Sequence, residues 1–257
     1  MHGFWKNRQY HLDKMTLRDL VAVFFQYPAI QVYLGLAAVF TVLAVRWVEA
    51  WWPPVLAAAV AFAIYPLVWY ALHRWVLHGR YLYRSPWTSR LWKRVHFDHH
   101  RDPNDLRVLF GALHTTLPTI FVVVTPIGWA IGGAAGAAAG LASAMLTVCF
   151  YEFCHCVQHL GYTPKSRFLR RIKKLHLAHH FHNESGNYGI TDFSWDRLLG
   201  TYYTDPKATP RSATVFNLGY TGEEIRRYPW VARLTEDLDE TTSTLEGRSA
   251  RRRPSPS

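Results

Sequence analysis

The sequence predicts an all-α integral membrane protein, with four transmembrane helices in two hairpins joined to a polar helical cap. Three observations carry this. Charge is nearly absent from two long stretches: only Arg46 and Glu49 interrupt the run from Ala29 to Leu72, and Val108 to Tyr151 is 44 residues without a charged side chain. One span needs about 20 residues, so the second stretch holds two. Basic residues are segregated: of 29 Lys and Arg, only Arg46 lies near the two expected short turns, and the rest fall in the N-terminal, central and C-terminal polar segments. Finally, 49% of residues are apolar and 18% charged, which excludes a disordered chain.

In chain order, the N-terminus is too polar for a secretory signal, so an uncleaved chain is expected. Residues 15–28, MTLRDLVAVFFQYP, pair a charged side with an apolar remainder and read as a short interfacial helix. The first span is expected over Ala29–Trp51, with Arg46 snorkelling to the interface. Trp51 to Pro54 then read as an interfacial turn, and Val55–Leu72 as the second span. Two further spans turn near Gly128–Gly136. Gly132, Gly136 and Gly140 read equally as a small-residue packing stripe or as a flexible turn.

Positive residues stay on the cytoplasmic side, which places both termini and the cap there. The basic run Lys165–Lys174 is then a juxtamembrane cluster facing anionic lipid, and no nucleic-acid partner is expected. Residues 1–245 are expected to form one domain and 246–257, EGRSARRRPSPS, a disordered basic tail. Cys149, Cys154 and Cys156 are an odd number packed into eight positions, a pattern of buried thiols and not of a disulfide framework.

Chemistry enters through the 14 histidines. Ten form four tight groups: His73 and His78; His96, His99 and His100; His155 and His159; His176, His179 and His180. His2, His11 and His114 are isolated and read as ordinary core or interfacial residues. Helical residues three and four apart share a face, so HFDHH and HLAHH each aim two imidazoles at one point, and His155 and His159 form a similar pair. His73 and His78 are five apart, and one turn of irregular helix would bring them together. All four groups lie at span ends or in the cap, so they can converge. Ten imidazoles exceed the about four to six ligands of one metal and suit two ions. Nitrogen ligands alone do not choose between iron and zinc. Their place at the mouth of an apolar bundle favours iron, because reduced iron activates O2 for C–H chemistry, whereas a zinc-bound hydroxide cannot attack hydrocarbon.

The ordered motifs HRWVLH, HFDHH, HCVQH and HLAHH, with hydrophobic hairpins between, resemble the fatty acid hydroxylase and sterol desaturase superfamily. Within it the chain is most similar to the fatty acid 2-hydroxylases. DHHRDPNDLRVLF (98–110), YEFCHCVQH (151–159, with Glu152 where aspartate is usual) and HHFHNESGNYGITDFSWDRLLGTY (179–202) carry this likeness, which covers roughly residues 60–205.

The resemblance implies a non-haem centre of two iron ions held by the ten histidines, with zinc able to occupy the site in purified protein. It implies O2 as co-substrate and a membrane lipid acyl chain as substrate, hydroxylated at the 2-position. Tyr151 and Glu152 are implied as catalytic residues near the centre. His182 has no matching position and is expected to support a ligand. Asn187, Tyr188, Gly189, Trp195 and Asp196 match family positions and read as structural as readily as catalytic. Asp98, Asp102 and Glu152 are expected to accept imidazole N–H groups. About 28 residues precede the first span, so electrons are expected from a separate ferredoxin or cytochrome b-type protein with its reductase, steered by the net charge of +11. A sterol or carotenoid oxidase of the same superfamily would use almost the same histidines. A metal transporter would place histidines near the bilayer midplane, and a membrane cytochrome would pair them inside the spans.

Overall fold

Apolar length sets the scaffold. In the computed structural model, which describes residues 10–235, three helical stretches are long and apolar enough to cross a membrane: Pro28–Arg46, Trp52–Leu77 and Leu106–His159. Every regular element among the described residues is helical; the one β contact is an isolated antiparallel bridge between His11 and Asp105. The expected tail 246–257, the end of the expected domain and His2 lie outside the described residues.

Helix α1 (Leu17–Gln26) starts in a capping box, in which the Thr16 hydroxyl accepts from the Asp19 N–H at 3.2 Å and the Asp19 carboxylate from the Thr16 N–H at 3.0 Å. Its inner face buries Leu20, Val23 and Phe24. Phe24 meets Phe153 edge-on at 5.3 Å and Phe110 at 5.9 Å. Helix α2 (Pro28–Arg46) is shorter than the expected Ala29–Trp51: Trp47 leaves helical geometry and the chain turns through residues 48–51. Helix α3 (Trp52–Ala71) begins earlier than expected, because Pro53 and Pro54 open the helix instead of forming a turn. The first helical turn needs no N–H donors, and proline's fixed φ suits it.

The cap contains α4 (Pro86–Trp92), α5 (Asp98–Arg101) and α6 (Leu106–Leu109), then, after the bundle, α8 (Arg167–Phe181), α9 (Ser194–Leu198) and α10 (Gly222–Arg227). Between them runs the long helix α7 (Leu113–His159), which packs on α2 and α3. It is broken at Gly132 and Gly133, where Gly133 has φ +56° and ψ −144°, a conformation that requires glycine. A Cβ on Gly128 would lie 2.7 Å from the Gly136 carbonyl oxygen, and one on Gly140 would lie 3.0 Å from Val124. These pairs are in the register of a chain folded back at the break. The glycines therefore serve both readings: Gly132 and Gly133 form the break, while Gly136 and Gly140 let the second half approach the first half and Ala57 of α3.

Candidate metal centre

Local winding places the rings. Residues five apart on an α-helix point about 140° away from each other. Here α3 passes into a π-helical turn, Leu72–Leu77, with the His78 N–H donating to the His73 carbonyl at 3.0 Å, and the two rings come to 4.9 Å. A second π turn, Lys93–Phe97, carries His96 and leads into α5 with His99 and His100. His155 and His159 sit one turn apart at the end of α7, and His176, His179 and His180 on the last turns of α8.

The ten rings gather in two adjoining groups. His99, His155, His159, His176 and His180 have one ring nitrogen each within 4.8 Å of all the others, as do His73, His78, His96 and His100. His179 bridges the two, its ring nitrogen grouping with those of His100 and His180 and its ring lying 4.8 Å from both His73 and His78. His100 and His180, 4.3 Å apart, are the junction. His11 and His114 belong to neither group.

This donor set fits metal ions. Facing Nε2 atoms stand 3.1 Å apart in His99 and His155, 2.9 Å in His159 and His176, and 3.2 Å in His73 and His78. Two nitrogens bound at about 2.1 Å to one ion at right angles would stand about 3 Å apart. The Nε2 atoms of His96, His100, His179 and His180 are buried without a hydrogen-bond partner, each a cost of about 1–3 kcal/mol unless a cation takes the lone pair. Burial, and then the neighbouring imidazoles, holds His96, His99, His176, His179 and His180 well below the usual histidine range, and burial pushes His100 down to about 3. The rings are therefore neutral, with lone pairs available as ligands.

A cavity of about 280 Å³ ends on His73, His96, His99, His155, His176 and His180. Its length is apolar, between α3 (Ile64, Val68) and the first half of α7 (Ile120, Val123), and Leu82, Leu91 and Val95 of the cap close one side. Away from the imidazoles, Thr115, Thr116 and Thr119 form a polar strip, and Tyr65 and Trp69 also line the wall.

Comparison with known proteins decides the family. The family model for fatty acid hydroxylase matches residues 58–201. The chain belongs to the fatty acid hydroxylase family. The dihydroceramide fatty acyl 2-hydroxylase FAH2 of Arabidopsis thaliana is 30% identical over 155 residues, 58% of this chain and 62% of that protein. The ceramide very long chain fatty acid hydroxylase SCS7 of Saccharomyces cerevisiae is 32% identical over 56% of this chain and 37% of its own. The fatty acid 2-hydroxylase of Rattus norvegicus is 28% identical over 56% and 39%. This chain thus matches less than two thirds of the length of each relative. The solved hydroxylase domain of scs7p superposes with a TM-score of 0.59 at 26% identity, over 72% of this chain and 68% of that one.

In this chain, main-chain carbonyls do the work expected of carboxylates. The ring Nδ1–H of His73 donates to Tyr188 O at 2.6 Å, that of His100 to Val215 O at 2.9 Å and that of His179 to Gly186 O at 2.7 Å. A carbonyl cannot donate, so each of these rings presents its Nε2 lone pair. Asp98 instead takes both its bonds from Lys93 at 2.8 Å, Asp102 accepts from the Asn104 N–H at 3.2 Å, and Glu152 from the Gly111 N–H at 3.1 Å.

The carbonyls are aimed by a loop that spacing alone does not reveal. Asp196 accepts from the N–H groups of Tyr188 at 2.8 Å and Gly189 at 2.9 Å, while Asn187, at φ +56°, exchanges two bonds with the Tyr203 main chain. Glu184 accepts from Thr214 and so ties this loop to the strand of chain bearing Val215. His182 bonds the Thr209 carbonyl at 2.7 Å and supports the C-terminal segment, not a clustered ring. Tyr151 and Glu152 do not line the cavity. They back residues that do: Tyr151 packs on Tyr65 at 4.5 Å, and Glu152 holds Gly111.

Proposed function

We propose that the chain is a membrane-bound di-iron oxygenase that hydroxylates a lipid acyl chain at the 2-position, using O2 and electrons from a separate ferredoxin or cytochrome b-type protein with its reductase. One observation carries this reading: two adjoining groups of imidazoles terminate an apolar cavity. The fatty acyl 2-hydroxylase relatives supply the reaction class. The reversal at Gly132 and Gly133 supports four spans in two hairpins, and the segregation of basic residues supports a cytoplasmic centre.

The proposed ligands are His99, His155, His159, His176 and His180 for one ion, and His73, His78, His96, His100 and His179 for the other. Bound there, two iron ions would supply the redox chemistry by which, with two electrons and two protons from the donor system, one atom of O2 enters a C–H bond and the other leaves as water. The chain's own residues do the rest. Ile64, Val68, Ile120 and Val123 enclose the acyl chain and exclude water, so that a chosen carbon stays beside the imidazoles. The Tyr188, Val215 and Gly186 carbonyls hold three rings in one tautomer. Tyr151 and Glu152 act as positioning residues, keeping Tyr65 and Gly111 in the cavity wall.

The test is a lipid mass profile of cells expressing the wild-type chain, the His99→Ala variant or neither. Acyl lipids heavier by one oxygen should appear only with the wild type. No such gain from metal-loaded wild-type protein supplied with a reductant and O2 would overturn the assignment.

A further inference from the structure

The segment that closes one side of the cavity has a second face. From Ala50 to Leu91 the chain carries no Asp or Glu but has Arg74, Arg80, Arg84 and Arg90. Its inner side chains Leu82 and Leu91 line the cavity, while Trp87 is 90% exposed, Trp75 52% and Tyr81 48%. Arg80, Arg84 and Arg90 are exposed among them. Indole rings interleaved with exposed arginines match the chemistry of a bilayer surface, where amphipathic rings rest among headgroups and guanidinium groups meet lipid phosphates.

The level of that surface is marked independently by α1. Its exposed residues Leu17, Val21 and Phe25 recur every fourth position, an apolar stripe flanking the face that packs on Phe110 and Phe153. Phe153 lies two residues before His155, so this stripe meets lipid at the histidine end of the bundle. From α3 the chain runs without interruption through the π turn into Trp75. The aromatic-basic face is therefore continuous with a membrane-spanning helix at that same end.

We infer that residues 80–91 are seated in the headgroup layer, with Trp87 as the anchor and Arg80, Arg84 and Arg90 against anionic lipid. The cavity wall formed by Leu82 and Leu91 is then the inner side of a membrane-resting lip. An acyl chain leaving the bilayer passes directly beneath it, and its headgroup stays on the arginine side. This placement rests on the membrane-embedded reading, and its test does not depend on catalysis.

The experiment uses the full chain in nanodiscs of phosphatidylcholine, with and without phosphatidylglycerol. A nitroxide is attached at Trp87→Cys, Phe62→Cys or Lys207→Cys, and its accessibility to O2 and to a water-soluble nickel chelate is read by power saturation. The native Cys149, Cys154 and Cys156, 8%, 1% and 0% exposed, are out of the label's reach. The O2-to-nickel ratio at Trp87→Cys should stand several-fold above that at Lys207→Cys and below that at Phe62→Cys. Arg90→Gln should lower it in the anionic mixture and leave it unchanged in phosphatidylcholine alone. A Trp87→Cys ratio equal to that of Lys207→Cys, or a disulfide-linked dimer through that cysteine, overturns the inference. An aqueous reading at Phe62→Cys would instead remove the membrane placement beneath it.

Discussion

The ring Nδ1 of His73 and the main-chain carbonyl of Tyr188 lie 2.6 Å apart, joining the end of α3 to a cap loop 115 residues away. This bond selects the tautomer of His73 and aims its Nε2 at His78. The Tyr188 carbonyl is in turn aimed by Asp196, which holds the N–H groups of Tyr188 and Gly189.

Asp196→Asn should therefore weaken the centre without touching a ligand. An amide can accept one of the two N–H bonds but turns its own NH2 toward the other. We expect a loss of about 1–3 kcal/mol of stability and a 10–100-fold fall in metal affinity, read by thermal unfolding and chelator competition. Unchanged metal affinity would show that the loop does not orient the rings.

His99→Ala removes a ring that packs on His155, His159 and His180 at 4.8, 5.0 and 4.5 Å. Turnover should be abolished and bound metal should fall, with the helical content of the detergent-solubilised protein retained. Elemental analysis beside circular dichroism separates the two effects; full activity in this variant would exclude the centre.

Glycines in the bundle should respond by place. A methyl group at Gly136 would collide with the Gly128 carbonyl, so Gly136→Ala should destabilise by about 1–3 kcal/mol. Gly35, inside α2, has nothing within 4 Å of its would-be Cβ, so Gly35→Ala should stabilise by about 0.5–1 kcal/mol. Melting temperatures of opposite shift would bear this out, and equal shifts would contradict the packing.

Metal-free protein should lose stability as pH falls. An unfolded histidine takes a proton near pH 6.5, while burial keeps His100 unprotonated down to about 3 and holds His96, His99, His176, His179 and His180 well below their usual range. Between those limits the unfolded chain binds more protons, so stability is present above about pH 6.5 and is lost on acidification, by up to about 1.4 kcal/mol per pH unit for each such ring. Denaturant midpoints measured from pH 7 downward should fall steadily; a flat profile would mean the rings are accessible to protons in the folded state.

The helical class, the apolar stretches and the four histidine groups are readable in the sequence because periodicity and the lack of charge act locally. The need for irregular winding between His73 and His78 is also visible, since five residues do not fit an α-helical face. The acceptors that orient the rings are hidden, because every residue has a carbonyl and only the path of the chain decides which one arrives. Asp98 misleads for the same reason: Lys93, five residues earlier, reaches its carboxylate first. Pro53 and Pro54 read as a turn by type, yet open a helix, because what matters is whether an N–H is needed at that place.

The foot of α7 carries His155 and His159, while the rings facing them sit on α5 and α8, so a cation shared between them would rivet the cap to the bundle. Maturation of this protein would then have an order: the apolar bundle can assemble in lipid from its own packing, and metal arriving afterwards would lock the cap onto it. Scarcity of that metal would leave an inserted chain whose cap is held less firmly and opens more readily to proteolysis.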